Sequence, residues 1–217
     1  MSDTAQSVRQ RILDAAFNAF MRFGYGGAST AQIARLARVS KRDLYAHFAS
    51  KQAMLAGCVA ERAERMRHPL SLPAPLDREA LNQSLIRFGM AVVREIGRPE
   101  VLATYRLAIV EAENAPDVAL TLDRHGRAAN TEALIDLLAA ACDRGLLSGA
   151  DPAEMAELFQ AVLMSGAVLT RMLMRVTPAP TEAEAKQRAE AAANCLFRSY
   201  GAASAITADL SVRGGLS

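Results

Sequence analysis

Residues 29–51, STAQIARLARVSKRDLYAHFASK, decide how this chain reads. The stretch opens with Ser29-x-x-Gln32, a pattern in which two side chains cap a helix start reciprocally. Ile33, Ala34 and Ala37 then recur at helical spacing and give that helix one apolar side. Val39-Ser40 closes a tight turn, and Ser40 is suited to cap a second helix. In that second helix Leu44 and Phe48 lie four apart and face inward. Lys41, Arg42, Asp43 and Tyr45 are left on its other faces. The spacing predicts two short helices joined by a turn, the second with a polar, basic N-terminal end. A helix of that kind fits the major groove of double-stranded DNA.

The charge distribution points the same way. The whole chain carries +2, but residues 1–67 hold 11 Lys and Arg against 5 Asp and Glu, a net +6. Residues 68–217 hold 14 against 18, a net −4. A basic first third suits a phosphate backbone. A solvated basic face is the alternative; the asymmetry alone leans towards DNA, and beside residues 29–51 it does so much more strongly.

Composition bounds the rest. Apolar residues make up 51% of the 217, Trp is absent, and the sequence is alanine-rich with few β-branched runs. This predicts an all-α protein. Cys58, Cys142 and Cys195 are widely separated and form no Cys-x-x-Cys, which reads as buried reduced thiols in a cytoplasmic protein. The N-terminus is polar and lacks the apolar core of a secretory signal. The longest uncharged helical run, 158–170, is interrupted by Gln160, Ser165 and Gly166 and is too short to span a bilayer, so no membrane partner is expected. His47, His68 and His125 are the only histidines. No Gly-x-Ser-x-Gly, phosphate-binding glycine loop or cluster of metal ligands occurs. Catalytic residues, metal and cofactor are therefore not expected, and an enzyme is the least favoured class.

Along the chain, a first helix is expected over about 7–23, stopped by Gly24, Gly26 and Gly27. After the two motif helices, another starts near Ser50 and reaches about residue 67. Pro69, Pro73 and Pro75 mark the clearest break, so the reading divides the chain into domains at 1–67 and 77–203. Beyond the break, helices are expected over about 77–96, 100–113, 116–144, 152–175 and 182–200, about nine in all. Asp151-Pro152 has the cap-then-proline form of a helix start.

Residues 29–51 strongly resemble the DNA-binding region of the TetR family of transcriptional regulators. Ile33-Ala34, Ala37, Val39-Ser40, Leu44-Tyr45, His47-Phe48, Lys51 and Leu55 carry the match without gaps, flanked by Gly24-Tyr25 and Gly26-Gly27. One departure is Arg38, where the family usually has Gly. A non-Gly residue costs about 1 kcal/mol there if the turn needs φ > 0; Arg38 could in exchange contact a phosphate. Residues 79–201 resemble, more loosely, the AefR-like branch of the family. Arg87-Phe88-Gly89, Pro99-Glu100, Tyr105-Arg106-Leu107 and Phe197-Arg198-Ser199-Tyr200-Gly201 carry that likeness.

The resemblance implies a three-helix DNA-binding domain followed by a larger helical ligand-binding and dimerisation domain. It implies a homodimer on a double-stranded DNA operator, acting as a repressor that a small apolar inducer releases. Ser29 and Thr30 would hold a phosphate at a helix N-terminus. Ser40 would cap the reading helix, and Tyr45, His47 and Lys51 match positions that contact the backbone. Lys41 and Arg42 could donate to guanine O6 and N7, and Asp43 could accept from cytosine N4 or orient Arg42. Backbone contacts alone are the alternative for these three. Pocket candidates are Phe88, Tyr105, Arg106, Glu111, His125 and Met164, although for each of them ordinary core or surface duty outweighs ligand contact. The last two helices would pair with a second copy through Phe159, Val162, Gly166, Leu169 and Leu173 on one and Ala193 and Phe197 on the other; internal packing is the alternative. The rival function is a helical small-molecule-binding or adaptor protein without DNA binding.

Overall fold

Ser29, Ser40, Ser50 and Asp151 each cap a helix in the computed structural model, which describes residues 7–70, 75–165, 170, 171, 173, 174 and 178–201. The helices are α1 (Val8–Gly27), α2 (Thr30–Ala37), α3 (Lys41–His47), α4 (Lys51–Arg67) and α5 (Arg78–Ile96). They continue as α6 (Pro99–Val110), α7 (Asp117–Leu122), α8 (Ala129–Asp143), α9 (Pro152–Met164) and α10 (Glu182–Tyr200). Among the described residues there is no strand, only one antiparallel bridge between Leu147 and Gly201. The fold is all-α.

Three elements depart from the periodicity. The helix expected over 116–144 is divided: a π-helical turn, Asp123–Ala128, joins α7 to α8. α6 begins one residue early, with Pro99 in its first turn, and ends at Val110 rather than 113. α9 stops at Met164, well short of 175. Ser165 leaves the helical region at φ −50°, ψ 122°, and its hydroxyl donates to the Val162 carbonyl. Gly166 and Leu169, expected at the dimer interface, lie outside the described residues.

Two apolar cores follow from the helix stripes. The first joins α1 to α4 through Ile12, Phe20, Ile33, Leu44 and Met54, and takes in Ala108 of α6 and Val118 of α7. The second packs α5, α8, α9 and α10 through Leu85, Leu134, Phe159 and Leu196, and takes in Met66 of α4. α4 thus contributes to both. Close approach needs small residues at two crossings. A Cβ on Gly57 of α4 would lie 2.8 Å from a Leu13 methyl, and one on Gly89 of α5 would lie 2.8 Å from the Ala189 Cβ.

Candidate nucleic-acid interface and ligand cavity

The motif is held by paired caps. Ser29 Oγ accepts from the Gln32 N–H at 3.2 Å, while Gln32 Oε1 accepts from the Ser29 N–H at 2.8 Å. Ser40 repeats the device with Asp43: its hydroxyl accepts from the Asp43 N–H at 3.0 Å and donates to Asp43 Oδ2 at 2.7 Å. The Ser40 hydroxyl and N–H together hold the Asp43 carboxyl below its ordinary range. Asp43 is therefore committed to the cap of α3. Between the two helices Arg38 adopts φ 55°, ψ 47°, the left-handed conformation, and it is the only described non-Gly residue with positive φ. Its N–H closes α2 onto the Ala34 and Arg35 carbonyls.

Burial orients α3. Leu44 and Phe48 are buried, whereas Lys41, Arg42, Tyr45, Ala46 and His47 are exposed. Among the described residues no ion pair engages Lys41 or Arg42. The Tyr45 hydroxyl lies 3.1 Å from Thr30 Oγ1, so α2 and α3 present two hydroxyls side by side. Lys51 is placed differently from a free surface cation. Its Nζ donates to the carbonyls of Tyr25 at 2.6 Å and Ala28 at 3.2 Å, and lies 4.4 Å from the Tyr25 ring centre. Lys51 pins the end of α1, where Gly24 breaks the helix at φ 74°. One donor remains for any other partner.

A cavity of about 190 Å³ lies among α1, α4, α5, α6, α8 and α9. Phe17 of α1, Leu55, Val59 and Arg62 of α4, and Phe88 and Val92 of α5 form part of its wall. Thr104, Tyr105, Asn130, Gln160 and Met164 close it from α6, α8 and α9. Three pocket candidates thus line one cavity: Phe88, Tyr105 and Met164. Burial raises the Tyr105 hydroxyl above its ordinary range and pushes the Cys58 thiol up to about 12. Cys58, another wall residue, donates to the Leu13 carbonyl, which makes it a packed thiol.

The other three pocket candidates do not line this cavity. Arg106 donates to the Arg171 carbonyl at 2.8 Å. Glu111 accepts from the Gly26 N–H at 3.3 Å, tying the end of α6 to the end of α1. His125 lies in a shallow depression with Ser50 and Asp117 beside the start of α4. Two interface candidates are buried within the single chain. Phe159 and Ala193 have no exposed surface within one chain, and Phe159 stacks on Phe88 at 6.2 Å. Phe197 is nearly buried and carries the Arg78 guanidinium over its ring. Val162 is half-buried and Leu173 exposed. The polar wall residues Arg62, Asn130 and Gln160 escaped the sequence reading, because each reads as the solvent side of a helix.

Residues 12–58 match the bacterial regulatory proteins of the tetR family, and residues 83–202 match the C-terminal domain of AefR-like transcriptional repressors. The chain belongs to the TetR family. Its members are DNA-binding transcriptional regulators, and residues 29–51 lie within the matched N-terminal region. SrpR and the uncharacterised TtgW, both HTH-type regulators of Pseudomonas putida, are each 41% identical over 68 residues, 31% of this chain. That stretch spans 30% of SrpR and 48% of TtgW. A TetR regulator from Agrobacterium tumefaciens is similar along 90% of this chain and 96% of its own, with a TM-score of 0.73 at 24% identity. The flavonoid-responsive regulator FrrA is similar along 91% and 98%, with a TM-score of 0.70 at 25% identity. Among the described residues no group of metal-ligating side chains occurs, and no helix is long and apolar enough to cross a membrane.

Proposed function

We propose that this TetR-family regulator is a repressor that binds a two-fold DNA operator as a homodimer and leaves it when a small apolar molecule enters the cavity. The observation that carries this reading is α4: one end begins at Ser50-Lys51 directly behind α3, and its body from Leu55 to Met66 walls the cavity. Lys41 and Arg42 read base edges, and Thr30, Tyr45 and His47 contact phosphates. FrrA, named as flavonoid-responsive, supports a ligand-responsive role for such a cavity. The outer faces of α9 and α10, with Ala161, Val162, Ala191 and Asn194, face the second copy.

Fluorescence anisotropy on DNA flanking the protein's own gene tests the reading. Affinity falls steeply with salt. Arg42→Ala relaxes base preference at a cost of about 1–3 kcal/mol, whereas His47→Ala weakens every sequence alike. Equal losses for both on all operator variants contradict this division. Absence of any specific DNA binding favours the adaptor reading.

A further inference from the structure

Tyr105 lines the cavity from α6, and no hydrogen bond from a described residue reaches its hydroxyl. Arg127 and Asp123 act on it only through their charges, and those two groups pair with each other at 2.6 Å. The hydroxyl is not one of the partnerless atoms sealed from solvent, unlike the Asn130 oxygen in the same wall. It therefore opens onto accessible space. Every other polar side chain of the wall makes at least one hydrogen bond within the protein. Thr104 donates to the Glu100 carbonyl at 3.0 Å, and Gln160 donates to Thr131 Oγ1 at 3.0 Å. Arg62 donates to the Cys58 carbonyl at 3.0 Å and lies over the Phe17 ring.

Burial favours the neutral phenol of Tyr105, so this hydroxyl keeps its proton and needs an acceptor. A molecule that enters the cavity strips it of solvent. A hydrocarbon would leave the hydroxyl unmet, and an occupant that only donates would leave its proton unmet. Both are costly, because buried polar groups are nearly always hydrogen-bonded. Charge narrows the occupant further. Among the described residues no carboxylate lines the cavity, while two guanidinium groups do, so a cation finds no counter-charge. Size sets the scale: a dry apolar cavity of about 150 Å³ holds benzene, and this one has about 190 Å³. We propose that the cavity takes an apolar molecule of about one aromatic ring that carries a carbonyl-type oxygen, which accepts a hydrogen bond from the Tyr105 hydroxyl. This rests on the reading of the cavity as the ligand site.

The test uses the full chain and two probes of matched shape, titrated by calorimetry. Acetophenone carries a carbonyl oxygen where α-methylstyrene carries a CH2 group. Tyr105→Phe keeps the ring and removes only the hydroxyl. The ratio of α-methylstyrene Kd to acetophenone Kd falls about tenfold from wild type to Tyr105→Phe. Comparing the ratio between variants cancels the difference in hydration of the two probes. Val92→Phe fills the cavity and abolishes binding of both probes; Val101→Phe serves the same purpose if that variant does not fold. If both probes bind, the filled variant blocks both, and the ratio is unchanged in Tyr105→Phe, the hydrogen-bond inference is overturned and the cavity reading stands. If neither probe binds, or the filled variant blocks neither, both are overturned.

Discussion

Arg38 sits at φ 55° in the turn between α2 and α3, a conformation that an L side chain adopts at a cost. The family resemblance places Gly there. Arg38→Gly is expected to raise stability by about 1 kcal/mol relative to Arg38→Ala, read as a shift in urea midpoint at constant slope. If Arg38 also contacts phosphate, the same variant weakens DNA binding while it stabilises the fold. A glycine variant no more stable than alanine rejects the strain account. Lys51 gives a second residue-level prediction. With two donors on the Tyr25 and Ala28 carbonyls, Lys51→Ala unties the end of α1 as well as removing a charge. Its loss of DNA affinity should come with faster amide exchange at Ala28 and Ser29. Lost affinity with unchanged exchange would confine Lys51 to phosphate contact.

At the scale of elements, the Ser40–Asp43 cap ties α3 to pH. The folded carboxyl of Asp43 lies below its ordinary range because Ser40 donates to it. A depressed folded value stabilises the cap above the unfolded pKa of about 3.9, and the gain is lost as pH falls through the folded value. Acid should therefore fray the start of α3, visible as faster exchange at Leu44 and Tyr45, and Asp43→Asn should flatten that dependence. Caps of this kind were readable in the sequence, because each is written within four residues. The periodic stripes of α1, α4, α5 and α10 were readable for the same reason. What was not readable depends on distant neighbours. Asn130 lies mid-helix and looks solvated, yet its amide meets Met66, 64 residues away. Glu111 looks like a pocket acid, yet it answers Gly26 across 85 residues. The π turn at Asp123–Ala128 has no short pattern of its own. Its Gly126 is where a Cβ would press to 3.3 Å from Val59 of α4, so packing against α4 is felt there. The stripes of α9 and α10 announced apolar faces without saying which neighbour would cover them, and Phe159 and Ala193 went to the core.

For the whole molecule, the distinction between buried and outer faces separates assembly from folding. Ala161→Arg or Ala191→Arg, on exposed positions of α9 and α10, should give folded monomers by sedimentation at micromolar concentration. Phe197→Asp should instead unfold the chain, since that ring is nearly buried. A wild type that is monomeric at that concentration removes the dimer proposal. Two reading helices of a dimer must meet half-sites about 34–36 Å apart. α4 has 17 residues and so is about 25 Å long. A tilt of about 5° imposed at its cavity end shifts its Ser50 end by about 2 Å, and the two-fold axis doubles the change in spacing. The link between Glu111 and Gly26 decides whether that tilt reaches the motif, because it clamps α1 to α6, beside the cavity wall. Linkage fixes the size of the effect: a ligand that lowers DNA affinity tenfold binds the DNA-free protein tenfold more tightly, about 1.4 kcal/mol of coupling. Glu111→Gln keeps the shape, weakens the clamp and touches neither the cavity nor the DNA face. It should therefore reduce the ligand-induced loss of DNA affinity severalfold while leaving ligand affinity without DNA unchanged. Both quantities follow from one titration of a cavity-binding compound in the presence and absence of operator. Full coupling retained in Glu111→Gln would assign the transmission to α4 alone.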